Sequence, residues 1–151
     1  MLYLLLEAGA DLYAVETSRV EAVVPCAALK HVPGAPAAVA GILNYRGSQV
    51  AVVDCGVLLA HRPCALRYST RIILYRAELA GQLRLLGLLG ENVTRVQRFD
   101  DADFAPPAAR AGNPDCVGPV AVWQGLLVQR LYPESTLCAD VLETLLAGVQ
   151  A

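Results

Sequence analysis

Short apolar runs separated by glycine-containing turns make up most of the chain before residue 130. Glycine readily takes the positive φ that tight turns require, so two apolar runs around a glycine turn predict a β-hairpin. The pattern therefore predicts an all-β fold. Four segments fit it, and they join residues 2–7 to 12–15, 42–45 to 50–53, 71–76 to 82–89, and 120–123 to 126–128.

The end of the chain follows a different pattern. Between residues 137 and 149, leucines and valines recur at helical spacing. Ser135 or Thr136 can cap the start of a helix and Gly148 can end it. An amphipathic C-terminal helix is therefore predicted over residues 135–149, and we expect it to lie on the surface of the β-structure.

Two blocks of the sequence resemble each other. In the first block Val20 and Val23 precede the glycine-turned segment 41–47, and in the second Val93 and Val96 precede segment 118–125, at a nearly constant offset. This repetition predicts two similar β-barrels packed side by side, over about residues 15–65 and 70–130. Strand 1–7 and the C-terminal helix would complete a single domain, 1–151. A chance similarity between segments rich in glycine and valine is the alternative.

Composition narrows the classes of function. Hydrophobic residues make up 56% of the chain and charged residues 17%, which indicates a globular protein with a surface that a partner covers. The net charge of −2 and the absence of a basic cluster argue against a nucleic acid or an anionic membrane as partner. The apolar runs are too short to cross a bilayer and the N-terminus lacks signal-peptide features, so we expect a cytoplasmic protein.

The sequence offers no recognisable catalytic or metal-binding motif. It contains no nucleophile elbow, P-loop, dinucleotide fingerprint or His-Glu-x-x-His segment. His31 and His61 each precede a proline-containing loop, and the five cysteines form no Cys-x-x-Cys pair. We therefore expect a non-catalytic binding module without a metal or cofactor. An enzyme whose site is assembled from distant residues stays open at this point.

One run of residues is more specific to a single protein family than the features described so far. Segment 29–36 (LKHVPGAP) leads to 41–47 (GILNYRG) and then to 50–54 (VAVVD). This run resembles the family of CheW-like chemotaxis coupling proteins, whose members carry Leu-x-x-x-Pro-x-x-Pro, Gly-x-x-Asn-x-Arg-Gly and a strand ending in Asp. Weaker similarity extends over the rest of the chain. The matching residues with an expected structural role are Pro36, Gly41, Asn44, Asp54 and Gly118.

The resemblance implies a fold of two SH3-like β-barrels, which agrees with the repeat. It also implies a signalling adaptor that binds the regulatory domain of a CheA-type histidine kinase and the cytoplasmic hairpin tip of chemoreceptors in membrane-associated arrays. A place in the core is an equally good interpretation for Val20, Val23 and Val93. For Arg46 a solvated turn residue is the alternative, and the motif around it favours a contact on the barrel surface. The residues expected to bind a partner are Val20, Val23, Arg46, Gly47, Val93 and Val96.

The sequence departs from the family pattern at several positions. Ala51 stands where proline is usual, and Ala22 stands where an acidic residue often pairs with the motif arginine, here Arg46. The second half also differs near Glu91 and Arg130. These departures favour an alternative pathway, pili-linked or of the Wsp surface-sensing type, as much as flagellar chemotaxis. A peptide-binding SH3-like scaffold outside chemotaxis is the alternative function.

Overall fold

The structure, a computed structural model, describes residues 1–79, 81–108 and 115–136. The predicted helix over 135–149 falls outside the described residues except for its first two positions. No helix in the described ranges has the length and apolarity needed to cross a bilayer. The elements found there are β1 (Leu2–Ala8), β2 (Asp11–Glu16), β3 (Val20–Pro25), β4 (Val39–Tyr45), β5 (Ser48–Asp54), α1 (Cys55–Ala60), β6 (Arg71–Leu79), β7 (Gln82–Arg98), β8 (Val117–Trp123) and β9 (Leu126–Leu131), with 3₁₀ turns at Thr17–Arg19, Asp101–Asp103 and Pro133–Ser135.

All four predicted hairpins are present, formed by β1–β2, β4–β5, β6–β7 and β8–β9. Two of them have the same kind of two-residue turn. Arg46 and Gly47 have φ angles of 50° and 84°, and Gln124 and Gly125 have φ angles of 50° and 77°. Positive φ at both central residues matches the right-handed twist of the flanking strands. This turn geometry explains the glycine in each of these hairpins.

The long strand β7 belongs to two parts of the sheet. Residues 82–90 of β7 pair with β6 and β5, and β3 and β4 complete this first section. Residues 91–98 pair with β1, and β2, β9 and β8 complete the second section. Residues 71–90 therefore pair with segments between 20 and 54. This pairing crosses the predicted division into 15–65 and 70–130, because β7 is long enough to serve both sections.

Strand alternation produces three apolar clusters in the described residues. On β1, Leu4 and Leu6 belong to a cluster that joins both sections, whereas Tyr3 and Leu5 belong to a cluster of the second section. The third cluster, around Val52, belongs to the first section. Strands covered on both faces have continuous apolar sequences, which accounts for much of the high apolar content. We call the cluster that joins both sections the joint cluster; it includes Leu4, Leu6, Val53, Ile73, Tyr75, Leu88, Val93 and Leu131.

Candidate functional site

The turn between β4 and β5 presents the motif arginine to solvent. The Asn44 side-chain oxygen accepts a hydrogen bond from the backbone N–H of Gly47 at 3.1 Å, which braces the turn. Arg46 and Gly47 are both exposed, and the Arg46 guanidinium lies over the Tyr45 ring, 5.3 Å from its centroid. Stacking restricts the guanidinium while leaving its N–H edge available for hydrogen bonds. The hairpin tip therefore carries a partly ordered donor group.

Arg46 has no carboxylate partner in the part of the chain that the structure describes. Position 22, where the resemblance implies an acidic partner for Arg46, holds a half-buried alanine. In place of a carboxylate, the Arg46 guanidinium has the Tyr45 ring as its neighbour. The ion pairs of the described residues are Arg19 with Glu134 and Arg130 with Glu16.

Val20 and Val23 lie on the same face of β3 despite their odd spacing. In a regular strand, residues three apart point to opposite faces. The pairing of β3 with β6 shifts between Val20 and Ala22, so Val20 lies opposite Tyr75 and Val23 lies opposite Ile73, both of the joint cluster. Directly opposed residues share a face of the sheet. Val20 is partly buried against the joint cluster, and Val23 is 36% exposed.

The second valine pair is arranged in the same way. Val93 is 3% exposed inside the joint cluster, while Val96 is 55% exposed and lies opposite Leu4 of that cluster. Here the pairing of β1 with β7 shifts between Leu5 and Glu7. Each pair thus places one covered and one accessible valine on the side of the joint cluster. The burial of Val93 favours the place in the core that was the alternative for this residue, and a partner contact of Val93 stays a prediction.

Asp54 ends the motif as the N-cap of α1. It is 7% exposed, and its carboxylate accepts hydrogen bonds from the backbone N–H groups of Gly56 at 2.9 Å, Val57 at 3.3 Å and Cys64 at 3.3 Å. Two of these bonds satisfy the start of the helix, and the third holds the segment that follows it. A Cβ at Gly56 would lie 2.5 Å from the Arg62 carbonyl oxygen. Asp54 and Gly56 together hold the loop after α1 against β5.

The remaining motif residues serve the backbone. Gly41 has a φ of +148°, and a Cβ there would lie 2.6 Å from the carbonyl oxygen of Lys30, which is bridged to β4. A Cβ at Gly118 would overlap the ring of Tyr132. Pro36 is exposed, and its carbonyl accepts the first N–H of β4 at 2.9 Å. These positions maintain the fold around the exposed turn and valines.

One cluster has no signal in the sequence. Arg130 on β9 pairs with the Glu16 carboxylate, and its guanidinium lies over the rings of Tyr3 and Tyr132, 5.5 Å and 5.2 Å from their centroids. Burial raises the pKa of the Tyr3 hydroxyl, which therefore stays neutral. Glu16 and Arg130 are 114 positions apart, and the parallel pairing of β2 with β9 brings them together.

The buried cysteines are protonated thiols. Burial raises the pKa of Cys55 and Cys116, and burial together with the neighbouring Asp54 carboxylate raises the pKa of Cys64 to about 12. The Cys64 thiol donates a hydrogen bond to the Leu89 carbonyl oxygen at 3.5 Å. Because the thiolate is the nucleophile and metal ligand, these thiols are poor candidates for either role. In the described ranges, no three metal-ligating side chains converge.

Comparison with known proteins agrees with the motif. The CheW-like domain family matches residues 2–139. The crystal structure of scaffolding protein TtCheW from Thermoanaerobacter tengcongensis has the same fold, with a TM-score of 0.75 and 22% sequence identity over 86% of this chain and 82% of TtCheW. No curated protein sequence matches the chain. Because the family match spans nearly all of its residues, this protein belongs to the CheW-like domain family.

Proposed function

We propose that this chain is a non-catalytic adaptor that couples chemoreceptors to a CheA-type histidine kinase in a bacterial chemosensory array. Membership of the CheW-like family supports a scaffold or coupling role in chemosensory signalling. The observation that carries the proposal is the arrangement of the two valine pairs. Each pair exposes one valine on the side of the joint cluster, one from the first section and one from the second.

The accessible valines suit a helical partner. A receptor hairpin tip is a pair of helices, which presents apolar side chains at positions i, i+3 and i+4. Val23 and Val96 supply accessible apolar contacts, and Val20 is a half-covered apolar side chain on the same face of β3 as Val23. Val93 supports this surface from the core. We call Val20, Val23 and Val96 the valine surface.

Arg46 and Gly47 add a polar contact in this proposal. An exposed charge at the rim of an interface tunes orientation and specificity more than affinity. The stacking of Arg46 on Tyr45 lowers the entropy that the guanidinium loses on binding. In the array, the adaptor stays in the cytoplasm and reaches the membrane-associated receptors through these contacts.

Calorimetry with the regulatory domain of the co-encoded kinase, and a pull-down with the cytoplasmic fragment of the co-encoded receptor, test the proposal. Both partners should bind the wild-type chain. The double variant Val23→Asp, Val96→Asp should lose receptor binding and keep kinase binding. Leu127→Asp is the matched control, because Leu127 is 68% exposed on β9 and lies outside the valine surface. Its receptor binding should equal that of the wild type.

Two outcomes contradict the proposal. The first is a folded wild-type chain that binds neither partner. The second is a double variant that binds the receptor as well as the Leu127→Asp control does. Capture of extended peptides in place of both partners favours a peptide-binding scaffold outside chemotaxis.

A further inference from the structure

Asn92 lies where β7 passes from the first section to the second. Gly90 is the last residue of β7 that pairs with β6, and Glu91 is the first that pairs with β1. Asn92 has a φ of 48°, a left-handed conformation that is uncommon for residues other than glycine. Asparagine tolerates this conformation better than most residues because its short side chain forms local hydrogen bonds.

The Asn92 side chain bridges the two sections. Its amide nitrogen donates a hydrogen bond to the Glu7 carboxylate on β1 at 2.6 Å, and its amide oxygen accepts one from the Ser69 hydroxyl at 2.9 Å. The backbone N–H of the next residue, Val93, donates to the Ser69 carbonyl oxygen at 3.0 Å. Ser69 directly precedes Thr70 and β6. The bridge therefore connects β1 to the start of β6 at the point of crossing.

The same stretch of β7 contains a bulge. Glu91 pairs with Glu7 and Arg95 pairs with Leu5, so β7 advances four residues where β1 advances only two. β7 therefore has two extra residues between these two pairs. Side-chain alternation is interrupted there, since the consecutive residues Thr94 and Arg95 line the same pocket beside Leu5. A residue with left-handed backbone is one of the established ways to accommodate such extra length in a strand.

We propose that Asn92 is a positioning residue for the valine surface. Without the bulge, Val93 and Val96 would point to opposite faces of β7; with it, both lie on the side of the joint cluster. Asn92 holds the bulge by its left-handed backbone conformation, and its two hydrogen bonds attach the bulge to Glu7 and Ser69. Asn92 thereby places Val93 in the joint cluster and sets Val96 opposite Leu4, because β7 without the two extra residues would set Val96 opposite Leu2. The role of Asn92 in signalling rests on the proposed receptor contact, whereas its effect on the geometry of β7 does not.

Two substitutions at this position separate backbone conformation from other effects. A β-branched residue is a severe outlier at positive φ, so Asn92→Val should remove the bulge and change the register of β7 against β1. Glycine adopts this φ freely, so Asn92→Gly should retain the bulge. The cross-strand nuclear Overhauser effect between Leu4 and Val96 reports the register without any partner. It should be present in the wild type and in Asn92→Gly, and absent in Asn92→Val.

Partner binding then tests the positioning role. If the binding-competent register falls to a tenth of the population, the apparent Kd for the receptor fragment rises about tenfold. We expect this loss for Asn92→Val, with kinase binding unchanged and with Asn92→Gly close to the wild type. Gln124→Gly is the matched control, because Gln124 also has a φ of 50° but lies at the tip of the β8–β9 hairpin. This control should change neither the register nor the receptor affinity.

Asn92→Ala keeps the test decisive if Asn92→Val does not fold. Alanine has no β-branch but still disfavours positive φ, and it lacks the same two hydrogen bonds as glycine does. It should therefore speed hydrogen exchange at the Val93 N–H and weaken the contact between Leu4 and Val96 relative to Asn92→Gly. The proposal is overturned if these variants keep wild-type register and exchange, or if the register changes and receptor affinity does not. A wild-type chain that fails to bind the receptor refutes the proposed function alone, since the register measurement still decides the role of Asn92.

Discussion

Replacing Asp54 by alanine should destabilise the protein more than the loss of one exposed carboxylate would. Three backbone N–H groups, those of Gly56, Val57 and Cys64, lose their acceptor. Loss of a helix N-cap costs about 1 kcal/mol, and a buried N–H left without an acceptor costs about 1–3 kcal/mol. Together these contributions lower the free energy of unfolding by about 3 kcal/mol, a large part of the roughly 5–15 kcal/mol that holds a domain folded.

Urea unfolding followed by far-UV circular dichroism measures this effect. With an m value of about 2 kcal/mol/M, the midpoint should fall by about 1.5 M. Asp54→Asn is the matched variant, because its amide oxygen can still cap α1, and it should lose about half as much stability. Asp100→Ala is a second control, since Asp100 is an exposed N-cap of the 3₁₀ turn Asp101–Asp103 and its loss should cost only about 0.5 kcal/mol.

An unchanged midpoint for Asp54→Ala would refute the structural role derived from its hydrogen bonds. A second outcome has a different meaning. If Asp54→Ala keeps its stability and loses kinase or receptor binding, the carboxylate belongs to a partner interface and the three N–H groups have other acceptors. If Asp54→Ala and Asp100→Ala lower the free energy of unfolding equally, the burial of Asp54 does not add the cost assigned to it.

Val20→Asp places a carboxylate beside the joint cluster and should lower the free energy of unfolding by about 2 kcal/mol, whereas Val23→Asp at its exposed position should stay within about 0.5 kcal/mol. Equal urea midpoints for the two variants contradict this contrast. Gly118→Ala should displace the Tyr132 ring and lower the calorimetric Tm by about 4 °C. Cys64, whose pKa burial raises to about 12, is protonated at about pH 8 and should resist iodoacetamide until urea unfolds the chain. Peptide mass mapping detects the modification, and rapid labelling of the native protein would show that the thiol is accessible.

The hairpins could be predicted from sequence because each turn is set locally. Gly47 and Gly125 take positive φ within two-residue turns, and the apolar runs on either side then pair directly. The structural roles of Gly41 and Gly118 could also be predicted, because both are motif positions. The atoms that exclude a side chain there, the Lys30 carbonyl oxygen and the Tyr132 ring, could not be predicted. Local geometry is visible in a sequence, and the identity of a distant neighbour is not.

The valine surface could be predicted only in part. A spacing of three suggests opposite faces in a strand, and Val20 and Val23 share a face only because β3 shifts its register against β6. Such a shift depends on the partner strand, which the sequence of β3 does not contain. For the same reason nothing around Asn92 marks it as left-handed, and nothing near Arg130 indicates its pairing with Glu16.

The parallel pairing of β2 with β9 has a consequence for synthesis on the ribosome. β2 ends at Glu16 and β9 begins at Leu126, so about 110 residues must be added between them, which takes about 5–22 s at roughly 5–20 residues per second. During this time the outer edge of β2 is unpaired, and a two-stranded hairpin is marginally stable by itself. Unpaired edges with apolar side chains recruit strands from other chains. Translation that pauses before residue 126 therefore prolongs the period in which neighbouring nascent chains can aggregate through β2.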